Sequence, residues 1–182
     1  AQKFQDQLKT FGFDMELHEA RRVIKIYREA NDKINKLWRD AQAFLKDGNS
    51  FGLYGVLFVE DGKILLPSGL YLRYDDLQFT TTDRGVEFDY ETRRGRVRIY
   101  GGKVIENVCQ AIARCIIGEQ MLQIAKRYRV VLTVHDSIAC CVKDEEVDEA
   151  QQYVEECMRQ PPEWAEGLPI DCESGTGKSY GE

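Results

Sequence analysis

Val131-Leu132-Thr133-Val134-His135-Asp136-Ser137-Ile138-Ala139-Cys140-Cys141-Val142 is the stretch on which the fold turns. Two runs rich in β-branched and apolar residues, Val130–Val134 and Ile138–Val142, flank the polar triplet His135-Asp136-Ser137. That pattern predicts a β-hairpin with the triplet at its tip. A carboxylate at such a tip is aimed by two strands and stays clear of the core, so it could hold a divalent cation. Asp and Ser are also ordinary turn residues, and the hairpin alone does not separate these readings.

Working outward, Gly101-Gly102 opens a long helix. Val104, Ile105, Val108, Ile112, Cys115, Ile116, Met121 and Ile124 recur at helical spacing up to about Tyr128. Asn107, Gln110 and Arg114, spaced by three and four residues, share one face of it. Side-chain amides on a helix can read the acceptors common to all base pairs in the minor groove; the alternative is a polar face turned to water. After the hairpin, Val147, Ala150, Tyr153, Val154 and Cys157 mark another amphipathic helix, ended by Pro161-Pro162, and a short strand is expected around Pro169–Cys172.

Residues 1–46 read as helical. Gly12 is the expected stop of a first helix and Asp14 the expected cap of the next. Leu17 to Leu45 then carry one bent helix or two consecutive ones, with Asn31 or Asp32 available to cap a second. Arg21, Arg22, Lys25, Arg28, Lys33, Lys36 and Arg39 fill much of the remaining surface, as a solvated face or a phosphate-facing one. Residues 47–100 change character. Turn residues recur at Asp47-Gly48-Asn49, Asp61-Gly62, Pro67-Ser68-Gly69, Asp83-Arg84-Gly85 and Arg94-Gly95. Between them, strands are expected at Lys63–Leu66, Leu70–Leu77, Val86–Tyr90 and Arg96–Tyr100. The order defines an α+β fold: an antiparallel hairpin packed on long helices, with a β insertion between helices.

Composition narrows the function classes. The 182 residues are 43% hydrophobic and 31% charged, enough for a core and unlike a disordered chain. No apolar run is long enough to span a membrane and no signal sequence opens the chain, so a cytoplasmic, membrane-free location is expected. The net charge of −6 hides an asymmetry: residues 144–182 carry 12 acids and 2 bases, residues 1–143 carry 19 acids and 23 bases. This does not suit a protein that merely coats nucleic acid. Six cysteines form no CxxC pair, and His18 and His135 are the only histidines, which argues against structural zinc. Gly175-Thr176-Gly177-Lys178-Ser179 imitates a phosphate-binding loop, but Cys172 stands where the pattern requires glycine.

Taken together, the Glu106–Arg114 helix, the Val134-His135-Asp136-Ser137 hairpin about twenty residues later and the terminal Gly175–Gly181 stretch resemble the C-terminal half of the polymerase domain of family A (DNA polymerase I-like) DNA polymerases, phage members above all. Leu66–Tyr74 looks like the β segment preceding that helix, and residues 1–12 like the segment following the fingers helix. The resemblance implies a palm portion over 101–182 and a DNA primer-template and dNTP as partners. It also implies two Mg²⁺ ions that promote nucleotidyl transfer to a primer 3′-hydroxyl. Asp136 matches the hairpin's metal-binding aspartate, His135 the residue near the primer terminus, and Gln110 the minor-groove glutamine; Asn107 and Arg114 accompany it as DNA-binding candidates. Ser137 stands where the family usually has Glu, Glu106 where it commonly has Asn, and Leu70 where many members have Arg. The family's other metal-binding aspartate and its fingers helix have no counterpart here. Asp89-Tyr90-Glu91 imitates the aspartate motif but falls in the β insertion and reads as strand. The expectation is therefore part of a polymerase, inactive alone, whose metal site is completed by a carboxylate from the N-terminal part of the same enzyme, in the host cytoplasm if phage-encoded. The alternatives are a non-catalytic DNA-binding or assembly module descended from a palm, and a metal-dependent hydrolase using His135 and Asp136, for which no second ligand cluster exists.

Overall fold

The computed structural model describes residues 1–47, 58–60, 63–83 and 85–180. The turn residues expected at Gly48-Asn49 and Asp61-Gly62, and Arg84, lie outside them. The order is α1 (Gln2–Thr10), α2 (Leu17–Ala30), α3 (Asp32–Asp47), β1 (Phe58–Glu60), β2 (Lys63–Leu65), β3 (Tyr71–Arg73), β4 (Gln78–Thr82), β5 (Gly85–Thr92), β6 (Gly95–Ile99), α4 (Gly101–Ile124), β7 (Arg129–Val134), β8 (Ser137–Cys141) and α5 (Val147–Arg159). The fold is α+β, and the described residues form three small antiparallel sheets, β1-β2-β3, β4-β5-β6 and β7-β8. The chain divides into two compact units, Ala1–Asp47 with Leu77–Ile105, and Gly48–Asp76 with Glu106–Glu182. The β insertion thus supplies one sheet to each.

In the first unit, α1 ends as expected. Gly12 adopts φ +81°, and Gly12 and Phe13 donate backbone hydrogen bonds to Lys9 and Leu8, closing a left-handed cap. The next cap differs from expectation. Glu16, not Asp14, caps α2 in a reciprocal box with Glu19, which satisfies two otherwise unpaired N–H groups at once. Two helices follow rather than one bent helix. The Asn31 side chain donates to the Tyr27 carbonyl, closing α2, and Asp32 accepts from the Lys33 amide to start α3. Ala20, Ala41, Phe44, Leu45, Phe88, Ile99, Val104 and Ile105 are buried.

The β4-β5-β6 meander is two-faced because directly opposed residues share a face. Phe79, Phe88 and Ile99 stand in register on one face, with the Phe79 and Phe88 rings 6.4 Å apart. The other face carries Arg96 paired to Asp89 and Arg98 paired to Glu87 at 2.6 Å. Asp89 is therefore a structural strand residue, held by a cross-strand arginine. The expected strand Leu70–Leu77 is broken: Asp76 takes φ +48°, which a short polar side chain tolerates, and the chain leaves one sheet for the next.

In the second unit, α4 ends at Ile124, and single turns carry the chain to Tyr128. The far end of α4 is clamped to α5 and its sequel. Gln120 donates to the Met158 carbonyl at 2.6 Å, Trp164 to Glu119 at 2.6 Å, and the Tyr153 hydroxyl to the Gln123 carbonyl at 3.1 Å. Arg127 pairs with Glu149 and lies over the Tyr128 and Tyr153 rings. The strand expected at Pro169–Cys172 is not formed. Proline removes a ladder donor, and the segment is held by side chains of α5 instead. Arg159 donates to Asp171 at 2.8 Å and to the Cys172 carbonyl at 3.1 Å, and Ser174 bonds Glu155. The Arg159 guanidinium holds the Asp171 carboxyl below its ordinary range; for Glu155, the Ser174 hydroxyl bond lowers it most, then Arg159.

Candidate functional site

The hairpin forms with Val134 opposite Ser137, so the tip is a two-residue turn of His135 and Asp136 rather than the expected triplet. His135 takes φ +53°, the positive value that two-residue hairpin turns demand at their first central position. Glycine is the usual occupant there, and a side chain costs about 1 kcal/mol or more. His135, Asp136 and Ser137 are all exposed. Asp136 makes no hydrogen bond or ion pair to any described residue, so its charge is not spent on holding the turn. The backbone requirement has a testable consequence. His135→Gly should hold or raise the melting temperature, whereas His135→Val, with a branch at Cβ, should cost about 1–2 kcal/mol. Equal melting of the two variants would contradict it.

Val134, expected from its apolar strand to run back into the core, does not enter a closed core. It is 37% exposed, with Leu132 at 40% and Val131 at 52%, and Ile138 is half-buried. Val131 falls where the ladder shifts register between Val130 and Leu132, a bulge that turns its side chain outward. A two-stranded sheet has only one neighbour per strand and cannot cover both of its faces.

On α4, Gln110 and Arg114 are exposed and make no bond to any described residue. Asn107 is half-buried, and its side-chain N–H donates to the Tyr74 hydroxyl at 3.1 Å. Tyr74 is 5% exposed, and Cys115 reaches Ser68 at 3.1 Å, so the β2–β3 segment lies along α4 and fixes Asn107 from the side. Sequence reasoning missed Tyr74. It lies 33 residues from its partner, and only the pairing of β3 beside α4 joins them. Helix face and hairpin belong to the same unit.

Among the described residues, no three His, Cys, Asp or Glu side chains converge as a metal site. Mg²⁺ is commonly bound through one or two carboxylates plus waters and substrate phosphates. Asp136 fits one such ligand, and the described residues do not form a whole site. Among the described residues, no helix is long and apolar enough to cross a membrane.

The exposed Asp136 carboxylate, which bonds no described residue, thus lies in one unit with a helix whose exposed Gln110 and Arg114 side chains also bond no described residue. The chain is 34% identical to a DNA polymerase of Bacillus phage SP02 over 172 aligned residues, spanning 81% of this chain and 25% of that polymerase. It thus corresponds to about a quarter of that protein's length. No family model matches the chain, and no solved structure matches it.

Proposed function

We propose that this chain is the C-terminal portion of the polymerase domain of a family A, phage-type DNA polymerase, working in template-directed transfer of a nucleotide from a dNTP to a primer 3′-hydroxyl. The observation that carries the reading is Asp136, at the hairpin tip and without a partner among the described residues, in a chain similar over 81% of its own length to a phage polymerase. Asp136 would hold Mg²⁺ together with a carboxylate from the rest of the enzyme, and the metal, when bound, lowers the charge cost of phosphoryl transfer. The chain's own work is positioning. The hairpin aims Asp136, His135 stands beside it, and α4 offers Gln110 and Arg114 to the primer-template, with Asn107 set by Tyr74.

Gln110→Ala should weaken primer-template binding by the complete enzyme roughly fivefold, corresponding to about 1 kcal/mol for one hydrogen bond. Melting should not change, since Gln110 is exposed and bonds no described residue. Unchanged affinity would remove Gln110 from the interface. The direct test of the reading is primer extension. The 182-residue chain alone should not extend a primer, and supplying the remainder of the polymerase should restore synthesis. Restoration without any dependence on Asp136 would favour a non-catalytic DNA-binding module.

A further inference from the structure

We infer that α2 carries a second phosphate-binding surface, a basic groove in the first unit that grips the sugar–phosphate backbone of a DNA strand. At 100° per residue, His18, Arg21, Arg22, Lys25 and Arg28 fall within about a third of the helix circumference, while Ala20, the buried residue of α2, points the other way. All five are exposed. Arg21, Lys25 and Arg28, with Ile24, Glu29 and Asn35, line an open groove of about 410 Å³.

Three features separate this from an ordinary solvated face. Arg21, Arg22 and Arg28 hold no carboxylate among the described residues and stand together on one helix, whereas Arg73, Arg96, Arg98, Arg127 and Arg159 are paired. The other unpaired described arginines, Arg39, Arg93, Arg94, Arg114 and Arg129, lie singly on α3, α4 and β7 or in the β5–β6 turn. The acid inside the stripe, Glu29, is met only by Lys25 at 3.7 Å with both side chains well exposed, a contact of little worth that a phosphate can displace. The stripe is mostly arginine, whose planar fork suits phosphate oxygens, and it stands out in a chain of net charge −6. From Arg21 to Arg28 the helix rises about 10 Å, enough for two or three successive phosphates. The apolar Ile24 in the groove wall gives a sugar an apolar surface to rest on. The phosphate chemistry stands on the groove itself; the choice of DNA as its source rests on the polymerase reading.

Fluorescence anisotropy with a labelled 20-nucleotide single strand, titrated between 50 and 200 mM salt, tests this on the 182-residue chain. The Arg21→Ala/Arg28→Ala variant should bind roughly tenfold more weakly at the lowest salt. Its slope of log affinity against log salt should be shallower by about 1.4, two phosphate contacts at 0.7 each. Arg21→Lys/Arg28→Lys should keep the slope. Melting should be native for both, since the side chains are exposed and bond no described residue. An unchanged slope in the alanine variant overturns the inference, as does failure of the wild-type chain to bind. Competition by inorganic tripolyphosphate at equal phosphate concentration, with no dependence on strand length, would also overturn it, in favour of a free-phosphate site. The polymerase reading fails separately, through Asp136 and extension, so a lost groove effect with Asp136-dependent synthesis sinks only the groove.

Discussion

Asp136→Asn should abolish primer extension in the complete polymerase, by at least about 100-fold, while the chain melts as the wild type does. The two halves of this expectation have different causes. Folding is spared because Asp136 is exposed, bonds nothing among the described residues, and sits in a turn that asparagine suits equally well. Activity is lost because an amide oxygen lacks the negative charge that holds Mg²⁺ and opposes its dehydration. Removing one fixed electrostatic group from a reacting centre costs about 10²–10³ in rate. Ser137→Ala should cost less than about tenfold, because a neutral hydroxyl binds Mg²⁺ poorly. Steady-state extension with Mg²⁺, with melting curves on the same preparations, decides between outcomes. Near-normal turnover by Asp136→Asn removes the hairpin tip from the chemistry, whatever the similarity to the phage polymerase.

Gly101→Ala should destabilise the first unit by about 3 kcal/mol, at the upper end of overpacking costs, and lower its melting temperature by about 10 °C. An added Cβ would lie 2.1 Å from the Trp38 carbonyl oxygen and 2.6 Å from the Gln42 backbone nitrogen. These are helix backbone atoms of α3 and cannot swing aside. The same approach lets the Gly101 N–H donate to the Gln42 side-chain oxygen at 2.7 Å, so separating the helices also breaks that bond. Gly102→Ala is the control. Its Cβ would meet the Tyr100 ring at 3.2 Å, and that exposed side chain can rotate. Calorimetry should find a much smaller shift for Gly102→Ala, offset by the better helix propensity of alanine. A shift below about 2 °C for Gly101→Ala would show that α3 and α4 do not meet so closely.

Local patterning made much of the architecture legible. Periods of 3.6 marked α2 to α5, Gly12 marked a left-handed cap, and the β-branched runs around His135-Asp136 marked the hairpin, because each depends on residues within a few positions of one another. The same locality explains the misses. Asp14 and Glu16 are both plausible caps, and only the reciprocal bond with Glu19 selects Glu16. Pro169–Cys172 has strand-like composition, but a strand needs a partner with free backbone groups, and Arg159 and Glu155 of α5 hold that segment instead. Asp136 and Gln110 could be singled out by type and spacing. Tyr74 could not, because its hydroxyl meets Asn107 across 33 residues of chain.

The sequence by itself determined the α+β order, the hairpin, the shared face of Asn107, Gln110 and Arg114, and the density of cations on α2, since these follow from side-chain type repeated at the period of a helix or strand. Tertiary structure decided the rest. It split the β insertion between two units, left Asp136 without a partner among the described residues while matching Asp89 to Arg96, and opened a groove beside arginines that hold no carboxylate among those residues. The reason is physical. Whether a charge is spent on a neighbour or left for a ligand depends on which distant side chains the fold brings within a few ångströms, and that distance is not written at any one position of the chain.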